Sequence, residues 1–320
     1  MSVRHLIPTK SAAALVSSRE PLLYSSEATA PASDRVRRTV ALLGRRGYAL
    51  TVRRLGEVCL GGALSEPEVR WAVASASDLA IERDLVIERD SIGRVDAISS
   101  RAATHATDSA PYLDMTLAFV RRLVALAPFV RSVSIAGSLA SGGFRASDDV
   151  DLNLIVDDGH RHLAYVMVNV LGIAHALRHR RKPVDDLTRR PVAPRLMTAN
   201  LILERSQCFP LARRDEDMAF ELLMSEPVFG AEVLGRLLAA NPELLDHLPQ
   251  LASKASTLAV DSPARRLPAA LFPGALDGAA RAVGESAWRY MQWTRRRHPE
   301  ALARVAFVRS TMRPYTLFDD

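Results

Sequence analysis

The sequence predicts a mixed α+β or α/β protein with an N-terminal winged-helix unit, a central mixed sheet flanked by helices, and a helical C-terminal region. Three short helical segments precede a pair of alternating strands, two β-branched runs flank a glycine-containing turn, and the last third has helical periodicity. At 320 residues the chain can form two domains plus appendages. The predicted divisions are a flexible extension (1–33), a winged-helix-like domain (34–105), a central core (111–210) and a helical region (211–320).

Composition describes a globular protein whose surface is modestly basic. Hydrophobic residues make up 48% and charged residues 24%, and the net charge is +6. A basic surface favours polyanions such as nucleotides or nucleic acid, but an excess of this size does not identify one. Cys59 and Cys208 lie far apart, which argues against a disulfide framework or a cysteine zinc site. No apolar run approaches the roughly 20 residues that span a bilayer, so we expect a cytoplasmic protein without a membrane partner.

The N-terminal unit is predicted from helix start and stop signals. A helix over residues 35–46 is stopped by Gly47, and Thr51 can cap a second helix. Ser65 and Glu68 have the spacing of a capping box, which opens a third helix that runs to about residue 79.

A hairpin is predicted after these helices, with strands 85–89 and 94–98 around a turn at 90–93. Three helices followed by a hairpin is the winged-helix order. Glu66 and Glu68 open the helix that would enter a DNA groove, and their charges repel phosphates. This favours a structural or protein-binding unit, with contact to duplex DNA as the alternative.

The centre of the chain alternates between strand and helix patterns. Pro111 is expected to open a helix after a polar linker. The predicted segments are linker 99–110, helix 112–126, strand 130–136, turn 140–144, strand 150–156, helix 160–180, loop 181–194, strand 195–204 and helices from 214 onwards.

Two acidic residues at the start of the second central strand carry the strongest chemical signal. Side chains alternate along a strand, so Asp149 and Asp151 should project from one face. The other face is apolar and should enter the core: Val150, Leu152, Leu154 and Val156. Two ionised carboxylates on one face repel unless a cation lies between them, and Mg²⁺ prefers few carboxylates plus substrate phosphates. Gly137 would let the backbone approach a phosphate, and the Ser138 hydroxyl could donate to it.

This arrangement, Gly137-Ser138 followed by Asp149-Val150-Asp151, resembles the signature of the DNA polymerase β nucleotidyltransferase superfamily. The resemblance implies that Asp149 and Asp151 bind Mg²⁺ (or Mn²⁺), which holds a nucleoside triphosphate whose phosphates contact Gly137 and Ser138. An acceptor hydroxyl would attack the α-phosphorus and pyrophosphate would leave. Asp148 stands where related proteins often have serine, and we expect it to be peripheral.

The superfamily usually adds a third carboxylate on a later strand, and here the pattern departs from it. The strand at 195–204 offers Asn200 and Glu204 on one face, and the loop before it offers Asp185 and Asp186. An asparagine supplies neither negative charge nor a general base. The site could therefore use two carboxylates, or could bind nucleotide without turnover.

The resemblance extends over residues 35–249, to a group of bacterial and archaeal nucleotidyltransferases that have an N-terminal winged helix. Asn200 is ordinary in that group, whose acceptor is generally unassigned. The segments that carry this resemblance are Pro128-Phe129-Val130-Arg131, Gly137-Ser138-Leu139-Ala140, Asn200-Leu201-Ile202-Leu203, Arg214-Asp215 and Ala219-Phe220-Glu221-Leu222.

Basic residues near the expected site are candidates for triphosphate or acceptor contacts. They are Arg180, Arg181, Lys182, Arg189 and Arg190.

The leading hypothesis is a nucleotidyltransferase that moves a nucleoside monophosphate to an unknown acceptor, favoured to be a small molecule or a protein. The alternative is a winged-helix, nucleic-acid-binding regulator whose nucleotidyltransferase fold senses nucleotide or has lost catalysis. A non-catalytic interaction protein is the third hypothesis, and it predicts no metal-dependent nucleotide binding.

Overall fold

The structure is a computed structural model that describes residues 30–178, 197–296 and 299–318. Within these ranges the chain forms helices around two sheets. The helices are α1 (Ala32–Arg45), α2 (Val52–Glu57), α3 (Glu66–Ala74), α4 (Val95–Leu126), α5 (Gly137–Ser141), α6 (Arg161–Ala176), α7 (Arg205–Cys208), α8 (Glu216–Met224), α9 (Ala231–Ala240), α10 (Glu243–His247), α11 (Ala275–Arg295) and α12 (Pro299–Met312). The strands are β1 (Leu50–Thr51), β2 (Leu79–Glu82), β3 (Leu85–Glu88), β4 (Val130–Ala136), β5 (Val150–Val156), β6 (Met197–Glu204) and β7 (Glu226–Phe229).

The first unit packs α1, α2 and α3 against a small antiparallel sheet of order β1-β3-β2. Its predicted helix starts are confirmed, whereas the third helix was predicted too long: α3 ends at Ala74, and residue 79 begins β2. The Thr51 side chain accepts a hydrogen bond from the backbone N–H of Arg54, and Ser65 and Glu68 form the capping box of α3. Gly47 has φ +80°, which ends α1 in a conformation that glycine adopts without steric cost.

The hairpin lies earlier than predicted, because β2 and β3 are joined by Arg83 and Asp84. Both residues have positive φ, as the central residues of a type I′ hairpin turn require. The predicted pairing of strands 85–89 and 94–98 was wrong. The first predicted strand coincides with β3, but residues 89–94 form a 3-10 helix and α4 begins at Val95.

The predicted polar linker at 99–110 was also wrong, since this segment is part of the continuous helix α4. Alanine is frequent there and favours helix. Pro111, expected to open a helix, lies inside α4. The helix therefore passes through the predicted boundary between the winged-helix-like division (34–105) and the central core (111–210).

The second sheet is mixed, with strand order β6-β5-β4-β7. β5 is parallel to β6 and antiparallel to β4, and β4 is antiparallel to β7. The predicted bounds of β4 and β5 are confirmed. β7 was missed, because the region after residue 214 had been expected to be wholly helical. It is a short edge strand, a position that tolerates its Pro227.

The two faces of the mixed sheet contribute to two apolar cores. One face packs against α4 and α6, and it includes the predicted apolar set Val150, Leu152, Leu154 and Val156. The other face contributes Ile155, Leu201 and Leu203 to a core shared with α8 and the first unit. The first unit is thus packed on the face of β5 opposite to α4 and α6.

In the described part of the chain, none of the helices has the length and apolarity needed to cross a membrane. Several sequence predictions fall outside the described residues. They are the extension up to residue 29, the loop at 181–194, its acids Asp185 and Asp186, and the basic residues 180–182, 189 and 190.

Candidate functional site

The turn after β4 brings the backbone into contact with a carboxylate. Gly137 has φ +61°, and a Cβ atom at this position would overlap Asp151 Oδ2. Glycine is therefore required on two grounds, the backbone conformation and the close approach of the carboxylate. The short helix α5 follows and ends at Gly142, which has φ +94°.

Asp149 and Asp151 lie at the start of β5 and are both partly exposed. The Thr198 hydroxyl on the neighbouring strand β6 donates to Asp151 Oδ1 over 2.8 Å. Because Asp151 is opposite Ala136 on β4 and Thr198 on β6, its position is fixed by strands on both sides. The burial of Val150, Leu152, Leu154 and Val156 in one core confirms the predicted apolar face of β5.

Asp148 lies nearer the centre of the site than predicted. Its Oδ2 accepts hydrogen bonds from the Ser138 hydroxyl at 3.2 Å, the Arg145 backbone N–H at 3.1 Å and Arg101 Nη2 at 2.9 Å. Arg101 Nε also donates to the Gly143 carbonyl. Asp148 and Arg101 therefore hold the loop between α5 and β5, and the expectation of a peripheral Asp148 was wrong.

The same loop receives a histidine from α4. The backbone N–H of Phe144 donates to His105 Nδ1 over 3.3 Å, which requires the unprotonated nitrogen at that position. Burial lowers the pKa of His105 below its usual 6.5, so the ring is neutral at pH 7.

A polar cluster lies further along the face of β5 that carries Asp151. Glu221 Oε1 accepts from Asn153 Nδ2 at 2.8 Å and from Asn200 Nδ2 at 3.0 Å. Asn200 Nδ2 also donates to Asn153 Oδ1 over 3.1 Å. Asn200 is thus part of a group that contains a carboxylate, and that carboxylate comes from α8 rather than from β6.

A bulge in β6 separates the two residues that the sequence proposed as a third site group. Leu152 pairs with Ala199 and Asn153 pairs with Leu201, so Asn200 is the extra residue. Glu204 pairs with Val156 at the opposite end of β5, and its carboxylate accepts the Gly159 N–H at 2.9 Å. The structure therefore brings Asn200 to the acidic face but leaves Glu204 at the far end of the strand.

Tyr48 extends from the first unit to the same face. Burial, together with the charges of Glu221 and Asp151, raises the pKa of Tyr48 to about 12, whereas Arg46 and Ser141 act in the opposite direction. The phenol is therefore protonated at physiological pH. It brings a neutral hydroxyl close to two carboxylates.

Helix α8, which carries Glu221, is fixed at both ends. Arg46, which directly follows α1, is paired at 2.9 Å with Asp217 in the first turn of α8, and both side chains are largely buried. At its other end, the Lys254 amine donates to the carbonyls of Leu222, Leu223 and Ser225. These contacts fix the position of the Glu221 carboxylate relative to β5.

Sequence reasoning missed Tyr48, Thr198 and Glu221 as site residues. Glu221 belongs to one of the segments that carry the family resemblance, but no spacing rule connects it to Asp151. Tyr48 and Asp151 are about a hundred positions apart, so only folding brings them together.

Among the described residues, no group of three or more His, Cys, Asp or Glu side chains is arranged to hold a metal ion. Any cation at this face would therefore depend on the Asp149 and Asp151 pair plus ligands from a bound molecule. Comparison of the chain with known protein families, curated proteins and solved structures found no match.

Proposed function

We propose that the protein is a Mg²⁺-dependent nucleotidyltransferase that moves a nucleoside monophosphate from a nucleoside triphosphate to an acceptor hydroxyl. The observation that carries the proposal is the contact of the Asp151 carboxylate with Gly137 at the end of β4, with Asp149 two positions away. Two carboxylates and a glycine turn thus meet at one end of one sheet. The donor could equally be held by Mn²⁺.

The donor set fits a magnesium ion that is shared with a substrate. Mg²⁺ keeps several waters and is usually held by one or two carboxylates plus substrate phosphates. Asp149 and Asp151 would supply the carboxylates, both are partly exposed, and no protein cage is needed. When bound, the ion would neutralise charge on the phosphates and stabilise the attacking and leaving oxygens.

The chain's own residues would position the reactants. Backbone N–H groups of the Gly137-Ser138 turn would donate to phosphate oxygens, and the Ser138 hydroxyl would exchange its bond to Asp148 for one to a phosphate. The acceptor oxygen would form a bond to the α-phosphorus as the bond to the β-phosphate oxygen breaks and pyrophosphate leaves. Asp151 or Glu221 would take the acceptor proton, directly or through water.

The first unit supports the finer interpretation of a winged helix, with three helices and a small β1-β3-β2 sheet. Its contribution to the proposed activity is Tyr48, whose hydroxyl lies near the acidic face. DNA binding by α3 is disfavoured, since Glu66 and Glu68 are exposed at its start and Arg70 is paired with Asp84 at 3.0 Å.

Calorimetric titration of each nucleoside triphosphate, with and without Mg²⁺, tests the proposal. We expect magnesium-dependent binding of at least one triphosphate by the wild type and its loss in Asp149→Asn and Asp151→Asn. Asp157→Asn is the matched control, because Asp157 directly follows the other end of β5. Wild type that binds no triphosphate would refute the proposal, and salt-dependent binding of duplex DNA by the same full chain would then favour the regulator.

A further inference from the structure

A cavity of about 230 Å³ lies between the first unit, the start of α4 and the loop that precedes β5. Its apolar wall includes Val86 and Ile98, and its lining includes the cations Arg94, Arg101 and Arg145. Glu88 is the lining carboxylate, and Arg101 is paired with Asp148, which leaves two cations, Arg94 and Arg145, against one carboxylate. This combination suits a small molecule that has an apolar body and an anionic group.

Two residues belong both to this cavity and to the proposed active site. Tyr48 lines the cavity, and its phenol is under the influence of the Asp151 and Glu221 charges. Arg101 lines the cavity and donates to Asp148, which in turn accepts the Ser138 hydroxyl. A chain of hydrogen bonds from Arg101 through Asp148 to the Ser138 hydroxyl therefore connects the wall of the cavity with the Gly137-Ser138 turn.

The size of the cavity limits what it can hold. Sites for drug-sized ligands usually measure about 300–1,000 Å³, so this one suits a smaller molecule or one end of a longer one. A nucleic-acid strand would need an extended basic groove with stacking platforms. The guanidinium groups favour carboxylate or phosphate, which they can bind through paired N–H donors.

We propose that this cavity is the acceptor subsite, and that the acceptor is a small hydroxyl compound that bears an apolar body and a carboxylate or phosphate. This inference rests on the proposed function, because it assigns the second substrate of the same site. Arg94 and Arg145 would hold the anionic end. The hydroxyl-bearing end would extend past Tyr48 towards Asp151.

Phenyl phosphate is a suitable probe, because it combines a ring with a dianion. Binding is measured by calorimetry on the full chain, with phenol and inorganic phosphate as the two halves of the probe. We expect phenyl phosphate to bind at least tenfold more tightly than either half. The double variant Arg94→Gln/Arg145→Gln should weaken phenyl phosphate binding at least tenfold. The cavity-filling variant Ile98→Trp should weaken it by at least as much. Arg53→Gln on the exposed surface of α2 is the matched control and should leave binding unchanged.

A titration of triphosphate and Mg²⁺ on the same proteins separates this inference from the proposed function. Variants that lose phenyl phosphate but still bind the magnesium triphosphate complex would support an acceptor subsite. Competition between phenyl phosphate and the triphosphate would overturn the inference. So would a wild type whose dissociation constant for phenyl phosphate is weaker than about 10 mM. The two proposals together predict that the Asp149→Asn variant loses triphosphate binding and retains phenyl phosphate binding.

Discussion

Neighbouring residues of β5 lie in two different environments. Val150, Leu152 and Leu154 face α4 and α6 in an apolar core. Asp151 and Asn153 face the other way, towards α8, and bond to Thr198 and Glu221. One strand therefore contributes to stability through one face and to the proposed chemistry through the other.

The polar face is itself divided along the strand. At its start it carries Asp151 and Asn153, whereas Ile155 further along is buried in the core shared with the first unit. Polar groups are thus confined to the end of the strand near Gly137. The comparison teaches that the fold tolerates carboxylates here because apolar packing on both sides of the sheet stabilises the strand that holds them.

The largest effect should come from Asp151→Asn. The change preserves size but removes a charge needed for Mg²⁺, and metal contributions of several kcal/mol correspond to a loss of turnover of about a thousandfold or more. Thermal unfolding should change little. The loss of turnover is measured as the steady-state rate of pyrophosphate release in the presence of an acceptor. Activity within tenfold of wild type would show that this face is not the metal site.

Leu152→Ala, one position away, should have the opposite profile. Leu152 is completely buried, so truncation should lower the free energy of unfolding by about 2–5 kcal/mol. Nucleotide binding per folded molecule should stay within a few-fold of wild type. Urea denaturation and calorimetry together measure both quantities. A stable Leu152→Ala protein that had lost nucleotide binding would contradict the division between the two faces.

Glu221→Gln should have an intermediate effect. The glutamine oxygen can still accept from Asn153 and Asn200, so the fold should be retained, while the negative charge is lost. We expect turnover to fall about 100-fold, the lower end of what a general base contributes. Glu216→Gln on the same helix, where the partner is Arg38, is the control. Full activity of Glu221→Gln would restrict Glu221 to a structural role.

The smallest effect should be a pH dependence of stability that arises from His105. Its pKa is lowered in the folded state, so the unfolded chain binds a proton first as the pH falls below about 6.5. The free energy of unfolding should therefore decrease on acidification below that pH. His105→Gln, which does not titrate, should lack this component in urea unfolding series at pH 7.5, 6.5 and 5.5. Identical pH slopes for both proteins would refute it.

Local signals were sufficient for much of the fold. Thr51, Ser65 and Glu68 each act within three positions of their partners, so their caps could be predicted without tertiary information. The β-branched runs of β4 and β5 were equally clear. The hairpin was misplaced because the turn uses Arg83 and Asp84, residues that do not mark a type I′ turn as asparagine and glycine do.

The sequence by itself determined the strand pair β4 and β5, the glycine turn between them, and the acids Asp149 and Asp151 opposite an apolar face. These depend on alternation and on short spacings, which are properties of the local chain. Only the tertiary structure decided that Glu221 approaches Asn200, that Glu204 lies elsewhere, and that the charges of Glu221 and Asp151 act on the phenol of Tyr48. The reason is physical: a strand bulge, the packing of α8 and the docking of the first unit depend on contacts between distant segments.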